Sequence, residues 1–86
     1  MSGNLQEPEN EDRELKQQFS LRLGKRLREV RESKQITQEE LANRANIYRT
    51  YVGHIETGTY SPTVYTMSRL AKAMGIELAE LLRDLD

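Results

Sequence analysis

The sequence predicts an all-α fold of five helices in one domain, and three observations support this prediction. Apolar residues recur every three or four positions along most of the chain, which is the periodicity of amphipathic helices. Helix start and stop signals divide this pattern into five segments. No segment alternates apolar and polar residues as a half-buried strand does, and a chain of 86 residues has room for a single domain.

The first helix is predicted to run from about Glu11 to Ser33, with Asn10 as its N-cap and acidic residues favourably placed in the first turn. Gly24 weakens this prediction because glycine has a low helix propensity, so a break near residues 19–20 is the alternative. The apolar residues of the segment fall on one stripe, at spacings of four and three: Leu15, Phe19, Leu23, Leu27 and Val30.

The second helix, over residues 38–45, has the clearest start signal of the chain. Thr37 is the expected N-cap, and Glu40 three positions later completes a capping box. Asn46 can end the helix because asparagine tolerates the left-handed conformation. The residues that we expect this helix to bury are Leu41, Ala42 and Ala45.

The third helix is predicted over residues 49–57, with Gly58 placed to end it through a positive φ angle. Its inward-facing residues are expected to be Val52 and Ile55. The fourth helix is predicted to begin with Ser61 as N-cap and Pro62 as its first residue, and to stop at Gly75. Its expected core stripe is Val64, Met67, Leu70, Ala71 and Met74. A fifth helix over residues 77–85 would present Leu78, Leu81, Leu82 and Leu85.

Helices of about eight residues are only marginally stable in water, so packing must hold the second and third helices together. A short turn at Asn46 joins them, and alanines on the second helix let the two axes approach closely. This arrangement is a helix-turn-helix, in which the first of the two helices braces the other. The polar face of the braced helix enters the major groove of DNA.

The charges of the chain are unevenly distributed, although its net charge is only −1. Residues 20–76 carry ten Lys and Arg against five Glu, whereas residues 1–19 and 77–86 each have a net charge of −3. A basic middle section suits a polyanionic partner, and ordinary charged helix surfaces are the alternative. Residues 1–10 are polar and acidic, so we expect a flexible acidic tail before a DNA-binding domain at 11–86.

Composition argues against several classes of function. The chain has no cysteine and one histidine, His54, so we expect no metal site. Without a nucleotide-binding glycine loop or a catalytic cluster, we expect no cofactor and no enzyme. No apolar run approaches the length of a membrane span and no secretory leader opens the chain. We therefore expect a cytoplasmic protein that has no membrane partner.

Five segments together resemble the phage-repressor and Cro-type (XRE-like) helix-turn-helix regulators over about residues 20–82. They are LGKRLR at 23–28, ITQEELA at 36–42, IETG at 55–58, SPT at 61–63 and LAKAMGI at 70–76. The run RTYV at 49–52 also resembles the recognition helix of restriction–modification controller proteins, a subgroup of small dimeric regulators. The resemblance implies a lambda-repressor-like five-helix bundle, with an N-terminal extension of the first helix in this chain.

The resemblance implies that one face of the third helix reads bases in the major groove. The residues at the matching positions are Tyr48, Arg49, Thr50, Gly53 and His54. Arg49 is the best candidate because its guanidinium matches the O6 and N7 acceptors of guanine, and a phosphate contact is the alternative for it. Tyr48 and Gly53 depart from the family pattern, in which a small capping residue and a serine are more usual.

The resemblance also implies phosphate contacts around that helix, from Arg31, Thr37, Gln38, Tyr51, Thr57, Thr59, Tyr60 and Ser61. Gln38 stands at the positive end of the bracing helix, which favours an anion. Arg31 and Glu56 match a structural pair that bridges the first and third helices, in which Glu56 orients Arg31 toward the phosphates. Two unrelated surface charges are the alternative.

A homodimer is expected because one short helix reads few base pairs, whereas a two-fold dimer reads both half-sites of a palindromic operator. The chain has no room for a separate dimerisation domain, so the fourth and fifth helices must provide the contact. The candidates are Tyr65, Met67, Ile76, Leu78 and Leu82. The stripe at Leu15 and Phe19 is a second candidate surface, unless it folds back on its own domain.

We therefore predict a sequence-specific transcriptional regulator that binds double-stranded DNA, and a repressor rather than an activator. The rival hypothesis is a protein-binding module of the same fold. It would be an antitoxin or a coactivator whose acidic tail captures a protein partner, such as a toxin or RNA polymerase.

Overall fold

The computed structural model describes residues 9–85, which form five helices and no strand. They are α1 (Glu9–Ser33), α2 (Gln38–Ala45), α3 (Arg49–Glu56), α4 (Val64–Met74) and α5 (Leu78–Leu82). The predicted all-α fold class is confirmed. The tail predicted at residues 1–10 lies outside the described residues, apart from residues 9 and 10, which belong to α1. In the described range, every helix is too short or too polar to cross a membrane.

Helix α1 is continuous, and it begins two residues before the predicted start at Glu11. The prediction of Asn10 as N-cap is wrong, because this residue lies inside the helix. A single asparagine without a capping box is a weak start signal, and Glu11 still lies near the helix start, where a carboxylate is favourable. The alternative break near residues 19–20 does not occur.

Gly24 explains why α1 passes so close to α3. A Cβ atom added at this position would lie only 2.6 Å from the carbonyl oxygen of Glu56 and would also clash with that of Ile55. The position therefore excludes every side chain, and the low helix propensity of glycine is offset by close packing of α1 on the end of α3.

Helix α2 has the predicted bounds and the predicted caps. The Thr37 hydroxyl accepts from the Glu40 backbone N–H at 3.0 Å, and the Glu40 carboxylate accepts from the Thr37 N–H at 2.8 Å. The backbone hydrogen bond from Thr37 lowers the pKa of Glu40 below its ordinary value. Asn46 ends the helix in the left-handed conformation, at φ 59° and ψ 48°. Helix α3 follows after a short turn and stops at Glu56, one residue before the predicted end.

Helix α4 starts later than the sequence predicts. Its N-cap is Thr63, whose hydroxyl accepts from the Thr66 backbone N–H at 3.1 Å, so Ser61 as cap and Pro62 as first residue are wrong. Serine and threonine are both good N-caps, so the sequence offers two starts two residues apart, and the chain uses the second. Val64 is 69% exposed and does not belong to the core stripe. Gly75 ends the helix as predicted, at φ 72°.

Helix α5 spans five residues, fewer than the predicted 77–85. The chain leaves the helix at Arg83 and turns through Asp84, which has a φ of 61°. This turn lets Leu85 return to the core, where it is 5% exposed. Leu82 points outward and is 38% exposed.

The five helices surround one core, and each mainly contacts two others in the cyclic order α1, α3, α2, α4, α5. Six apolar side chains are fully buried there: Leu27, Leu41, Val52, Ile55, Leu70 and Leu81. Helix α1 packs against α3 and α5, while α2 packs against α3 and α4. The outer face of α3 is left uncovered by these contacts.

Two arginines of α1 hold the C-terminal end of the described chain. Arg22 Nε donates to the Leu85 carbonyl at 3.0 Å. Arg26 donates to the carbonyls of Glu80 and Arg83 at 3.0 and 2.9 Å. These bonds satisfy acceptors that a helix end leaves without intrahelical partners, and they join α1 to α5.

Two glycine-to-alanine substitutions should change stability in opposite directions. We expect Gly24→Ala to lower the free energy of unfolding by about 1–3 kcal/mol, because the added methyl overpacks the α1–α3 contact. We expect Gly53→Ala to raise it by about 0.5–1 kcal/mol, since a Cβ there would lie 3.9 Å from its nearest neighbours, the Gln38 side-chain atoms. Urea unfolding of both variants and the parent measures the two changes, and changes of the same sign would contradict this account.

Candidate nucleic-acid interface

Helix α3 is divided lengthwise into a buried and an exposed face. Val52 and Ile55 are fully buried and face the core. The opposite face carries the residues predicted to read bases: Tyr48, Arg49, Thr50 and His54 are exposed, and Gly53 is half-buried. Tyr48 is 83% exposed and makes no side-chain cap. The structure therefore brings the five predicted residues together on one open, mainly polar surface.

A cluster of three aromatic rings lies at the C-terminal end of this surface. The Tyr60 ring is 4.7 Å from the His54 ring and 5.6 Å from the Tyr51 ring, between centroids, and both pairs are tilted. Such geometry is favourable for aromatic pairs. Tyr60 thus holds the loop at 57–61 against α3. The sequence did not predict this cluster, because Tyr60 is separated from α3 by a loop whose path has no local signal.

A buried ion pair fixes α3 from behind. Arg31 Nε donates to Glu56 Oε2 at 2.6 Å, and Arg31 Nη2 donates to Glu56 Oε1 at 3.1 Å. The two side chains are only 10% and 3% exposed. The hydrogen bond to Glu56 raises the pKa of Arg31 above its ordinary value, so the guanidinium stays charged. The sequence-predicted pair is therefore brought together, and it is not a set of two unrelated surface charges.

Two further hydrogen bonds extend the pair to the start of α2. Arg31 Nη1 donates to the Ile36 carbonyl at 2.8 Å. Gln38 Nε2 donates to Glu56 Oε1 at 3.0 Å. The network therefore ties α1, the turn before α2, α2 and α3 to one another. Arg31 is 8% exposed and uses its guanidinium inside the molecule, so it does not lie on the open surface with the other predicted phosphate contacts.

The remaining predicted phosphate contacts flank two sides of α3: Gln38 bonds Glu56 on one side, and Tyr60 contacts His54 on the other. Thr37 and the half-buried Gln38 lie at the start of α2, on one side. The exposed residues Thr57, Thr59, Tyr60 and Ser61 lie on the other side, and Tyr51 is half-buried between Tyr60 and the helix. The Thr57 and Thr59 hydroxyls are 2.9 Å apart, and Thr57 Oγ1 donates to the His54 carbonyl at 3.2 Å. Hydroxyl donors therefore border both edges of the α3 surface.

The predicted dimer contacts fall into two groups. Tyr65 and Leu82 are 69% and 38% exposed, and Ile76 and Leu78 are half-buried. Met67 is only 2% exposed, so its assignment to a dimer surface is wrong: it fills the core between α4 and its neighbours. The second candidate surface is open, because Leu15 and Phe19 are 57% and 36% exposed and do not fold back on the described chain.

Known proteins are similar to this chain over most of its length. The model of the helix-turn-helix family matches residues 27–81. The chain is 35% identical over 63 residues to the control protein C.BamHI of Bacillus amyloliquefaciens, a match that covers 72% of this chain and 78% of that relative. It is 33% identical over 60 residues to an immunity repressor protein of Bacillus phage phi105. That match covers 70% of this chain but only 42% of the repressor, so the chain spans less than half of this relative.

A solved structure agrees with the sequence matches. The restriction–modification controller protein C.AhdI from Aeromonas hydrophila superposes on the chain with a TM-score of 0.71 and 39% identity. The superposition covers 72% of this chain and 94% of the controller. Phage repressors and restriction–modification controllers are the groups that the sequence resembles, so the predicted resemblance is confirmed.

Removal of one partner of the buried ion pair should be severely destabilising. We expect Glu56→Leu to lower the free energy of unfolding by about 3–5 kcal/mol, because it leaves the Arg31 guanidinium buried without its counter-ion. The double variant Arg31→Met/Glu56→Leu leaves no stranded charge, so its loss should be smaller than the sum of the two single losses. Urea unfolding of the parent, both single variants and the double variant completes the cycle, and additive losses would show that the two groups act independently.

Proposed function

The chain belongs to the helix-turn-helix family of DNA-binding transcriptional regulators, whose members and relatives named above are not enzymes. We propose that it binds a palindromic operator as a homodimer and represses transcription. The observation that carries this proposal is the open polar face of α3, which is braced from behind by the buried Arg31–Glu56 pair. A polar helix face held rigidly above the surface is the element that enters a major groove.

Base reading is assigned to Tyr48, Arg49, Thr50, Gly53 and His54. Arg49 is exposed at the first position of α3, where its guanidinium can approach a guanine edge with two parallel hydrogen bonds. Contacts from Thr37, Gln38 and the loop at 57–61 to the backbone phosphates would position α3 in the groove. Gln38 is held near α3 by its bond to Glu56, which supports this division of roles.

The proposed dimerisation rests on exposed apolar residues, and the proposed repression rests on a relative of the same family. Tyr65 and Leu82 provide apolar surface on α4 and α5 that the single chain leaves open. A two-fold dimer would place two copies of α3 about one helical turn of DNA apart, as a palindromic operator requires. The phage relative is an immunity repressor by name, which supports repression over activation. A regulator of this kind would act in the cytoplasm.

An operator selection from random DNA duplexes tests the proposal, followed by binding measurements with Arg49→Ala at known salt. We expect a palindromic site. The variant should bind this site more weakly by about 1–3 kcal/mol and should tolerate any base at one position of each half-site. Arg28→Ala is the matched control, because it removes an exposed arginine of α1 that is not among the proposed DNA or dimer contacts and, among the described residues, bonds only the exposed Glu32. If Arg49→Ala weakens operator and random duplexes equally, Arg49 contacts a phosphate and does not read a base.

The dimer surface is tested by placing a charge on each candidate. We expect Leu82→Arg to shift the protein from dimer toward monomer in sedimentation experiments, because a buried unpaired guanidinium is costly at an interface. Leu15→Arg is the comparison: it should leave the dimer intact if α5 forms the contact. The opposite pattern would assign the dimer to the Leu15–Phe19 stripe, and a parent that is monomeric on its operator would overturn the homodimer.

A further inference from the structure

A cleft of about 630 Å³ separates the N-terminal part of α1 from the loop that follows α3. We call it the α1–loop cleft. The α1 side is formed by Arg13, Lys16, Gln17, Ser20 and Leu21, and the loop side by residues 57–61. Leu21 packs on Gly58 at the closed end of the cleft. This segment of α1 precedes the part of the chain that the family model matches, which begins at residue 27.

The face of α1 that lines the cleft changes character along its length. Residues 13, 17, 20, 24, 27 and 31 follow one another at spacings of four and three, so they share one face of the helix. The C-terminal part of this face, from Ser20 to Arg31, is buried against the protein. The N-terminal part is exposed and carries Arg13 and Gln17, with Lys16 beside them. A face meant to pack on protein would continue with apolar residues, whereas this one continues with cationic and amide groups.

The lining of the cleft suits an anion. Among the described residues that line it, Arg13 and Lys16 are cations, four carry hydroxyl groups on the loop side, and none is a carboxylate. Three acidic residues lie nearby: Glu11, Asp12 and Glu14 are each about 100° or more around the helix from Arg13. Asp12 lies one turn before Lys16, but none of the three lines the cleft. Hydroxyl, guanidinium and ammonium donors together are the groups that proteins use to contact backbone phosphates.

We propose that the α1–loop cleft binds a backbone phosphate of double-stranded DNA beyond the bases contacted by α3, with Arg13 and Lys16 as the cationic contacts. This inference rests on the proposed function, because it needs α3 in a major groove. Tyr60 joins the cleft to that surface: it lines the cleft and its ring lies 4.7 Å from the His54 ring on α3. The α1 extension therefore lengthens the phosphate-binding edge formed by the loop, without adding any sequence discrimination.

The test compares the salt dependence of DNA binding by Arg13→Gln/Lys16→Gln with that of the parent. Removing one phosphate contact should reduce the slope of log K against log salt by about 0.9. A homodimer presents two clefts to one operator, so the double variant loses two phosphate contacts, and the parent should weaken about tenfold more than this variant between about 50 and 200 mM salt. The ratio of operator to random-duplex affinity should stay the same, because neither residue reads a base. Both side chains are exposed, so thermal unfolding should be unchanged.

A comparison of two single variants is the matched control: Lys16→Gln in the cleft and Lys25→Gln outside it. Both substitutions remove one exposed lysine from α1 and change the net charge equally, but Lys25 lies outside the cleft. Only Lys16→Gln should lower the slope, and trimming the duplex to the outermost recognised base pair should abolish the difference. Equal slopes for the two variants would overturn the inference while leaving the proposed function intact. If the parent fails to bind DNA at all, the proposed function itself fails.

A free phosphate ion is the other source of the same chemistry. Calorimetric titration with inorganic phosphate distinguishes the two. If inorganic phosphate binds the parent tightly and Arg13→Gln/Lys16→Gln removes that binding without changing the slope on DNA, the cleft is a small-anion site and the inference is wrong. Weak phosphate binding with a reduced slope on DNA supports it.

Discussion

The arrangement of the whole DNA-binding surface depends on one buried ion pair, Arg31 with Glu56. Its two side chains are almost entirely removed from water, and burial of two charges is costly unless their hydrogen bonds are satisfied. Here Gln38 and the Ile36 carbonyl complete the set. The pair therefore forms only when α1, α2 and α3 are all in their native positions, and it selects one orientation of α3 from the many that an apolar core would permit.

This constraint accounts for how α3 can be short and still rigid. Eight residues are too few for a stable isolated helix, and Tyr48 supplies no side-chain cap. The helix is held by Val52 and Ile55 on its buried face, by the ion pair at its C-terminal end, and by Tyr60, whose ring contacts Tyr51 and His54 in tilted geometry. Tyr48, Arg49 and Thr50 on the exposed face make none of these packing contacts, so their side chains remain available to a ligand.

The sequence predicted the elements whose signals are local and missed those that depend on distant contacts. The capping box at Thr37 and the left-handed Asn46 fix α2 from a few neighbouring residues, so its bounds were predictable. The start of α4 was not, because Ser61 and Thr63 are both residues that can cap a helix, and local sequence does not decide between them. Helical spacing likewise cannot locate the edge of the core: it correctly placed Met67 in the core stripe of α4, but it also placed the exposed Val64 there. The resemblance to the helix-turn-helix regulators indicated which residues share the exposed face of α3, whereas the cleft beside α1 required the path of the loop.

The bonds from Arg22 and Arg26 to the end of α5 have a consequence for any assembly of two chains. They join α1 to the end of α5, and α1 in turn touches α3 directly at Gly24. A second copy that docks on α5 would then be connected to α3 through the direct contacts of α1. The protein would set the distance between the two copies of α3 before it binds DNA. The dimer would therefore select operators whose half-sites are separated by that distance.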